Sequence, residues 1–276
     1  MKRIDFTWPQ GRTGALTTSW DDGTEFDRRL VAIFNRYGIK GTFNLNSGKF
    51  GITKEQCGWN NYVRAEEIKS LYAGHEVAVH TVTHPWLERQ ASDMILAEVL
   101  EDRGALEALV GYPVRGMALP FGSQDQRVGA ILKAAGIVYV RPTARNNDRF
   151  ALPGDFMDWQ VTAHHTNNIQ LLWKEFVEYR RNSDKLFYLW GHSYEFDRDS
   201  NWEVIEEFSR IAGATPDIWF ATNMEVYEYV TAWRNLQCSV DISMIRNTSA
   251  VTVWFQYQER LYGVEPGKTV TLPQER

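Results

Sequence analysis

The run Thr17-Thr18-Ser19-Trp20-Asp21-Asp22-Gly23 passes from β-branched and aromatic residues into two adjacent carboxylates and a glycine. Residues 15–20 read as a strand. Residues 26–37 read as a helix with Leu30, Ile33 and Phe34 on one face and Gly38 closing it. The acidic pair therefore lies where a strand ends and a helix is about to begin. The same alternation continues, with strands expected at 42–45, 76–80, 114–119, 138–141, 186–190 and 218–221. Helices are expected at 66–72, 92–110 with Ser92 as N-cap, 124–135, 169–181, 202–212 and 224–236. Repeated strand and helix favour a parallel sheet, here closed into a barrel. From Gln237 the pattern changes to short β-like runs at 240–245, 250–255 and 269–272. The expectation is an α/β fold: a barrel of seven strands over residues 1–236, with a small β appendage over 237–276 packed on it.

Composition limits the alternatives. A chain of 276 residues suits one α/β barrel, and 43% hydrophobic with 24% charged residues is ordinary for a globular protein. A net charge of -5 argues against nucleic acid as partner. No apolar run reaches the roughly 20 residues that span a bilayer. The opening residues lack a signal-peptide core, so a cytoplasmic location is expected. Cys57 and Cys238 are too few for a disulfide framework.

The chemistry centres on the acidic pair and on His80-Thr81-Val82-Thr83-His84. One carboxylate and two imidazoles supply three ligands to a zinc-type ion and leave it an open position for water. The second carboxylate is left over as a base. Asp21 and Asp22 end the first strand, His80 the third and His192 a late one, while Pro120 follows the fourth. Barrel enzymes build their sites at these strand ends.

With these residues in order, the chain resembles the NodB-type polysaccharide deacetylases, carbohydrate esterase family 4. The matching elements are Ser19-Trp20-Asp21-Asp22-Gly23, His80-Thr81-Val82-Thr83-His84, Pro120-Phe121-Gly122, Asp155-Phe156-Met157-Asp158-Trp159 and His192. The resemblance implies a distorted (β/α) barrel that removes acetyl groups from a carbohydrate. It implies that Asp22, His80 and His84 hold a divalent metal, zinc or a similar ion such as cobalt or nickel, and that Asp21 is the base. It further implies that the backbone N–H of Phe121 faces the oxyanion, that His192 protonates the leaving group, and that Asp158 orients His192. Pro120, Phe121, Gly122, Trp159 and Trp190 would line the substrate pocket, with Trp159 walling the acetyl group.

Two positions depart from the family pattern. Its arginine two residues before the proline is Ala118 here, with Arg115 or Arg141 as substitutes, and its leucine two before His192 is Trp190. Glu195 reads as a solvated loop carboxylate, or else as a substrate contact or the replacement for a missing partner. His75 reads as a turn or core residue. His164 and His165, adjacent at a strand end, should diverge to opposite faces. Trp59, Trp86, Trp190 and Trp202 are candidates for a sugar cleft. Trp254, Phe255 and Tyr257 in the tail read chiefly as packing. Two other readings stand beside the acetylated-carbohydrate one: cleavage of formyl groups or small amides, and a non-catalytic carbohydrate-binding protein that lost turnover with the arginine.

Overall fold

The computed structural model describes residues 3–144, 149–179 and 184–273. Its strands are β1 (Asp5–Phe6), β2 (Gly14–Asp21), β3 (Thr42–Leu45), β4 (Glu76–Val79), β5 (Gly116–Ala118), β6 (Tyr139–Arg141), β7 (Ala163–His164), β8 (Lys185–Gly191), β9 (Ile218–Phe220), β10 (Gln237–Cys238), β11 (Met244–Arg246), β12 (Val253–Tyr257), β13 (Arg260–Val264) and β14 (Thr269–Thr271). The helices are α1 (Asp27–Tyr37), α2 (Lys54–Cys57), α3 (Ile68–Leu71), α4 (Ser92–Val110), α5 (Gln126–Ala134), α6 (Ile169–Glu178), α7 (Ser193–Arg198), α8 (Glu203–Gly213) and α9 (Asn223–Arg234). The main sheet is parallel in the order β6-β5-β4-β3-β2-β8-β7, with β9 on β2. It curls into the distorted barrel expected from the sequence.

Strand β2 is buried along its whole length because three neighbours share it. β8 pairs with Gly14 to Trp20, β9 with Gly14 to Leu16, and β3 with Ser19 to Asp21. Its alternation separates two environments. Leu16 and Trp20 join the core beneath the helices, as do Phe187 and Leu189 of β8. Ala15, Leu186, Tyr188 and Trp190 pack on the opposite face with Trp8, Tyr139 and Trp159. Thr17, Ser19 and Asp21 share that inner face and are all hydrogen-bonded by their side chains. The inner face thus combines an aromatic layer with the polar side chains that β2 contributes along its length.

The seven expected barrel strands are present, and the sequence reading missed β7, which is two residues long and too short for a periodic signal. It also missed α7, a helix of six residues. Helix α4 begins at Ser92, so its N-cap is Ala91 rather than Ser92, and no side chain caps it. The last two residues of the helix expected at 169–181 lie outside the described residues.

The tail forms two antiparallel sheets, β1-β12-β13 and β10-β11-β14. The N-terminal β1 is thus the edge of a sheet otherwise built from the tail. β13 escaped the sequence reading because the turn before it, Gln258-Glu259, has φ of 49° and 62° without the glycine or asparagine that usually marks a tight hairpin. Phe255 and Tyr257 are buried, and the backbone N–H of Trp254 donates to the Tyr229 hydroxyl of α9, so this aromatic run packs. Cys57 and Cys238 are both exposed and free.

At the lower end of the barrel the carboxylate of Glu76 is fully enclosed. It accepts from the Tyr139 hydroxyl at 2.7 Å, the Thr42 hydroxyl at 2.9 Å and the Met224 N–H at 2.8 Å in the first turn of α9. Burial pushes its pKa up to about 7, although those bonds favour the anion. A carboxyl whose pKa is raised on folding stabilises the native state most below its unfolded value near 4.5, and that contribution is lost as pH climbs toward 7. Urea denaturation of Glu76→Gln should therefore show a decline in stability between pH 4.5 and 8 smaller than the parent's by on the order of 3 kcal/mol. Parallel pH profiles for the two proteins would refute the assignment.

Candidate active site

The acidic pair, the two histidines of the second motif and His192 meet on one rim of the barrel. Asp21 ends β2, His80 follows β4, Ala118 ends β5, Arg141 ends β6 and His192 follows β8. Four of the five are delivered by strands paired on both sides, and β6, the edge strand that carries Arg141, is paired with β5.

Asp22 Oδ1 lies 3.7 Å from His80 Nε2 and 3.7 Å from His84 Nε2. All three ligand atoms lie within 4.8 Å of one another. His80 Nδ1 is 2.8 Å from the carbonyl oxygen of Ala118, to which it donates, so its Nε2 keeps a free lone pair toward Asp22. Burial pulls the pKa of both His80 and His84 down to about 4, so both rings are neutral at pH 7, as ligands must be. A carboxylate with two neutral, oriented imidazoles fits a divalent cation. The backbone is bent to bring them together: Asp22, Thr81, His84 and Phe121 have φ of 80°, 68°, 64° and 59°. Left-handed conformations at four non-glycine residues are strained and gather at functional sites.

Asp102 supports this set from below, and the sequence reading missed it. Its carboxylate accepts the His80 N–H at 3.0 Å and the Ser47 N–H at 2.7 Å. The available signal was an acid in the buried stripe Ile95, Val99, Asp102, Leu106 of α4.

The missing arginine is supplied from the neighbouring strand. Arg141 is fully buried, and its Nη2 donates to Asp21 Oδ1 at 2.6 Å and also contacts Asp21 Oδ2. Its Nε donates to Ser19 Oγ at 3.1 Å, and its guanidinium carbon lies 4.5 Å from the centre of a Trp190 ring. Trp190 therefore occupies the leucine position as a platform for the relocated cation. Arg115 instead donates to the Gly136 carbonyl, away from the site. Asn44 Nδ2 donates to the other side of Asp21 Oδ1 at 2.8 Å. Burial opposes ionisation of Asp21, but Arg141 and the nearby histidines outweigh it and hold its pKa at about 2.

His192 faces Asp21, with Nε2 4.0 Å from Oδ2. Its Nδ1 is 3.4 Å from Oε2 of Glu195, one turn on in α7. The same oxygen lies 3.2 Å from His164 Nε2 and 2.6 Å from His165 Nε2. The two histidines expected to diverge instead converge, because β7 stops at His164 and the chain turns. His164, His192 and Glu195 also form a second group with metal-ligand spacing. Its hydrogen bonds account for it without an ion: ring N–H groups donating to one carboxylate. Burial tends to lower the pKa of His192, but Glu195 and the charges of Asp21 and Asp22 raise it overall. Glu195 itself is held far below the usual carboxylate range by its three histidines, against the effect of burial.

Four expected site residues lie outside the cleft: Asp158, Trp159, Gly122, which lines a separate depression with Asp158, and Pro120, which is buried. Asp158 is exposed and accepts from Gln160 at 3.3 Å, facing a separate depression of about 830 Å³ that it shares with Gly122, Ser123 and Gln124. It does not orient His192, because the turn of Phe156–Asp158 buries Phe156 and leaves the acid outside. Trp159 is 1% exposed and packs edge-on to Tyr139 and Phe156, so it is core rather than pocket wall.

The cleft over the rim has a volume of about 450 Å³ and takes in Asp21, Asp22, His80, His84 and His192. Trp59 contacts the rings of Tyr62 and Tyr194 to form an aromatic wall, and Lys49, Leu119, Phe121, Thr143 and Trp190 complete the lining. Phe121 stacks on Trp86 with ring centres 4.2 Å apart, while Pro120 beneath it is buried. Trp202 is 6% exposed and packs against Phe196 under Arg29, outside the cleft. His75 is structural: its Nδ1 accepts the Gly41 N–H. Lys49, Tyr62, Tyr194 and Thr143 come from loops, short turns or a helix start with no sequence signal of their own.

Comparison with known proteins agrees with this geometry. Residues 10–140 match the family described as polysaccharide deacetylase, bearing out the resemblance read from the motifs. Chitin deacetylase 1 of Cryptococcus neoformans var. grubii is 26% identical over 179 residues, 63% of this chain and 36% of that protein. Chitin deacetylase 2 of Cryptococcus neoformans var. neoformans is 22% identical over 132 residues, 48% of this chain and 26% of that protein. The match thus spans about a third or less of those relatives' length. Among solved structures, a protein of Mycobacterium smegmatis assigned as a polysaccharide deacetylase superposes with a TM-score of 0.62 at 19% identity, over 85% of this chain and 96% of that one. The Xyl-CE4 domain of a multidomain xylanase from the hindgut metagenome of Trinervitermes trinervoides gives 0.51 at 18% identity, over 80% and 92%. These two structures establish the shared fold.

The buried pair Asp21–Arg141 yields a stability test. Arg141→Leu leaves an enclosed carboxylate without its cation and should cost roughly 3–5 kcal/mol in urea denaturation. Asp21→Asn combined with Arg141→Leu should lose less than the sum of the two single changes, by at least about 1 kcal/mol. Additive losses would mean that the pair is not coupled.

Proposed function

We propose that the chain is a metal-dependent hydrolase that removes acetyl groups, N-linked or O-linked, from a carbohydrate. One observation carries the reading: the Asp22, His80 and His84 ligand atoms converge beside Asp21, whose Oδ2 lies 4.0 Å from His192 Nε2. Asp22, His80 and His84 would hold the ion, zinc or in its place cobalt or nickel, borderline cations suited to this donor set. When bound, such an ion supplies an acidified water and positive charge for the oxyanion.

The chain's own residues do the proton work. Asp21 is ionised at neutral pH and fixed by Arg141 and Asn44, so it can take the proton of the attacking water as that water adds to the acetyl carbonyl. The backbone N–H of Phe121 is the candidate donor to the oxyanion. His192 gives a proton to the departing amine or alcohol as the bond to the acetyl carbon breaks. Its Nδ1 is turned to Glu195, which leaves Nε2 toward the reaction centre. Glu195 takes the orienting role that the resemblance gave to Asp158. Arg141 removes the premise of the non-catalytic alternative, since the base keeps a guanidinium partner.

Acetate release from acetylated chito- and xylo-oligosaccharides should stop with chelator and return with added zinc, cobalt or nickel. Formate or ammonia in place of acetate across a substrate panel would instead favour the small-amide reading. Asp21→Asn should lower kcat by roughly 10²- to 10⁴-fold, and an unchanged residual rate would point to a binding protein. Because Glu195 raises the pKa of His192, the acid form persists to higher pH in the parent. In Glu195→Gln the alkaline fall in kcat should therefore begin at lower pH, and an unmoved limb would contradict Glu195 as the orienting group.

A further inference from the structure

Resting on the deacetylase reading, we infer that Lys49 is an anion-recognising group and that the acetylated sugar taken by this cleft carries a carboxylate or phosphate. Lys49 ends the short 3-10 turn Ser47–Lys49 after β3 and lines the same cleft as Asp22, His84, Trp59, Tyr62 and Tyr194. It is half-buried, and its ammonium lies 5.4 Å from the centre of the Tyr62 ring. No carboxylate of the described residues forms an ion pair with it within 4.0 Å.

The other charges around the cleft are matched. Asp21 is paired with Arg141. Glu195 has Arg198 at 3.5 Å as well as its histidines. Asp22, the acid whose charge reaches Lys49, would be taken up by the cation that it, His80 and His84 are placed to hold. Lys49 is then a partly desolvated cation without a counter-ion, a costly arrangement unless a ligand completes it. A neutral sugar hydroxyl offers the ammonium a hydrogen bond without an opposing charge, whereas a carboxylate or phosphate adds the Coulombic attraction of an ion pair. The aromatic wall of Trp59, Tyr62 and Tyr194 adjoins it, so a pyranose ring stacked there can direct a charged substituent to the ammonium.

The test compares sugars that differ only in charge, using the metal-loaded full chain. N-acetylglucosamine 6-phosphate is set against N-acetylglucosamine, and the uronic acid of N-acetylglucosamine against its methyl ester, so that the two arms separate phosphate from carboxylate. The charged member of at least one pair should have a kcat/KM roughly 10- to 100-fold higher. Lys49→Met should abolish that preference, with a fall in kcat/KM on the charged member larger by that same factor than on the neutral one. Equal rates within both pairs, or an equal fall on charged and neutral sugars in Lys49→Met, would overturn the inference.

Calorimetry with glucose 6-phosphate and methyl glucuronoside, against methyl glucoside, reads binding apart from turnover. Tighter binding of an anion that weakens in Lys49→Met and with salt supports the site even if no acetyl sugar is hydrolysed, in which case the deacetylase reading alone fails. Anion binding that Lys49→Met leaves unchanged would assign the anion to the metal centre and overturn the inference.

Discussion

The contact between Arg141 and Asp21 holds the rim of this barrel together. Arg141 sits at the end of β6, the far edge of the main sheet path, and Asp21 at the end of β2 in its middle. Their pairing crosses the barrel interior and is braced by Ser19 below and Trp190 beside it. Without the guanidinium, burial would push the Asp21 carboxyl toward its neutral form, which cannot accept a proton as a base does. With it, the carboxylate stays charged and is aimed at the space between His80 and His192.

The remaining site follows from a division of the barrel along β2. One face of the strand feeds an apolar layer under the helices, and the other supplies Thr17, Ser19 and Asp21 to an interior that can accept polar groups because each finds a partner. Four of the left-handed non-glycine residues, Asp22, Thr81, His84 and Phe121, lie in the turns after the strands that build the site. The strands set the strain in place because both ends of each turn are anchored in packed elements, while Asp102 and Asn46 hold the backbone around His80. Glu195 works in the same way on the other side, collecting His164, His165 and His192 around one oxygen. Asp21, His80 and His192 are thus each held by a group behind them.

Much of this was legible in the chain itself. The strand carrying Asp21 and the helix from Asp27 to Tyr37 follow from a β-branched run, a glycine and a helical apolar face. The strand ends that deliver His80 and His192 follow from the same local signals. Less legible were elements too short to show a period, such as Ala163–His164 and Ser193–Arg198, and the hairpin turn at Gln258-Glu259 that lacks a marker residue. The roles given to Asp158 and Trp159 were misplaced because their motif fixes only the order of residues, whereas the turn there buries the tryptophan and exposes the acid.

The sequence by itself determined the alternating α/β architecture and the five side chains Asp21, Asp22, His80, His84 and His192 at one rim, because periodicity and strand-end position are local properties. Only the tertiary structure decided which arginine meets Asp21, which carboxylate meets His192 and which tryptophans face the cleft. Arg141 and Asp21 are 120 residues apart, and no pattern within either segment encodes the other. Their meeting depends on how far the sheet curls and on which side chains the curled interior can leave uncharged, paired or exposed, and these are set by packing across the whole barrel.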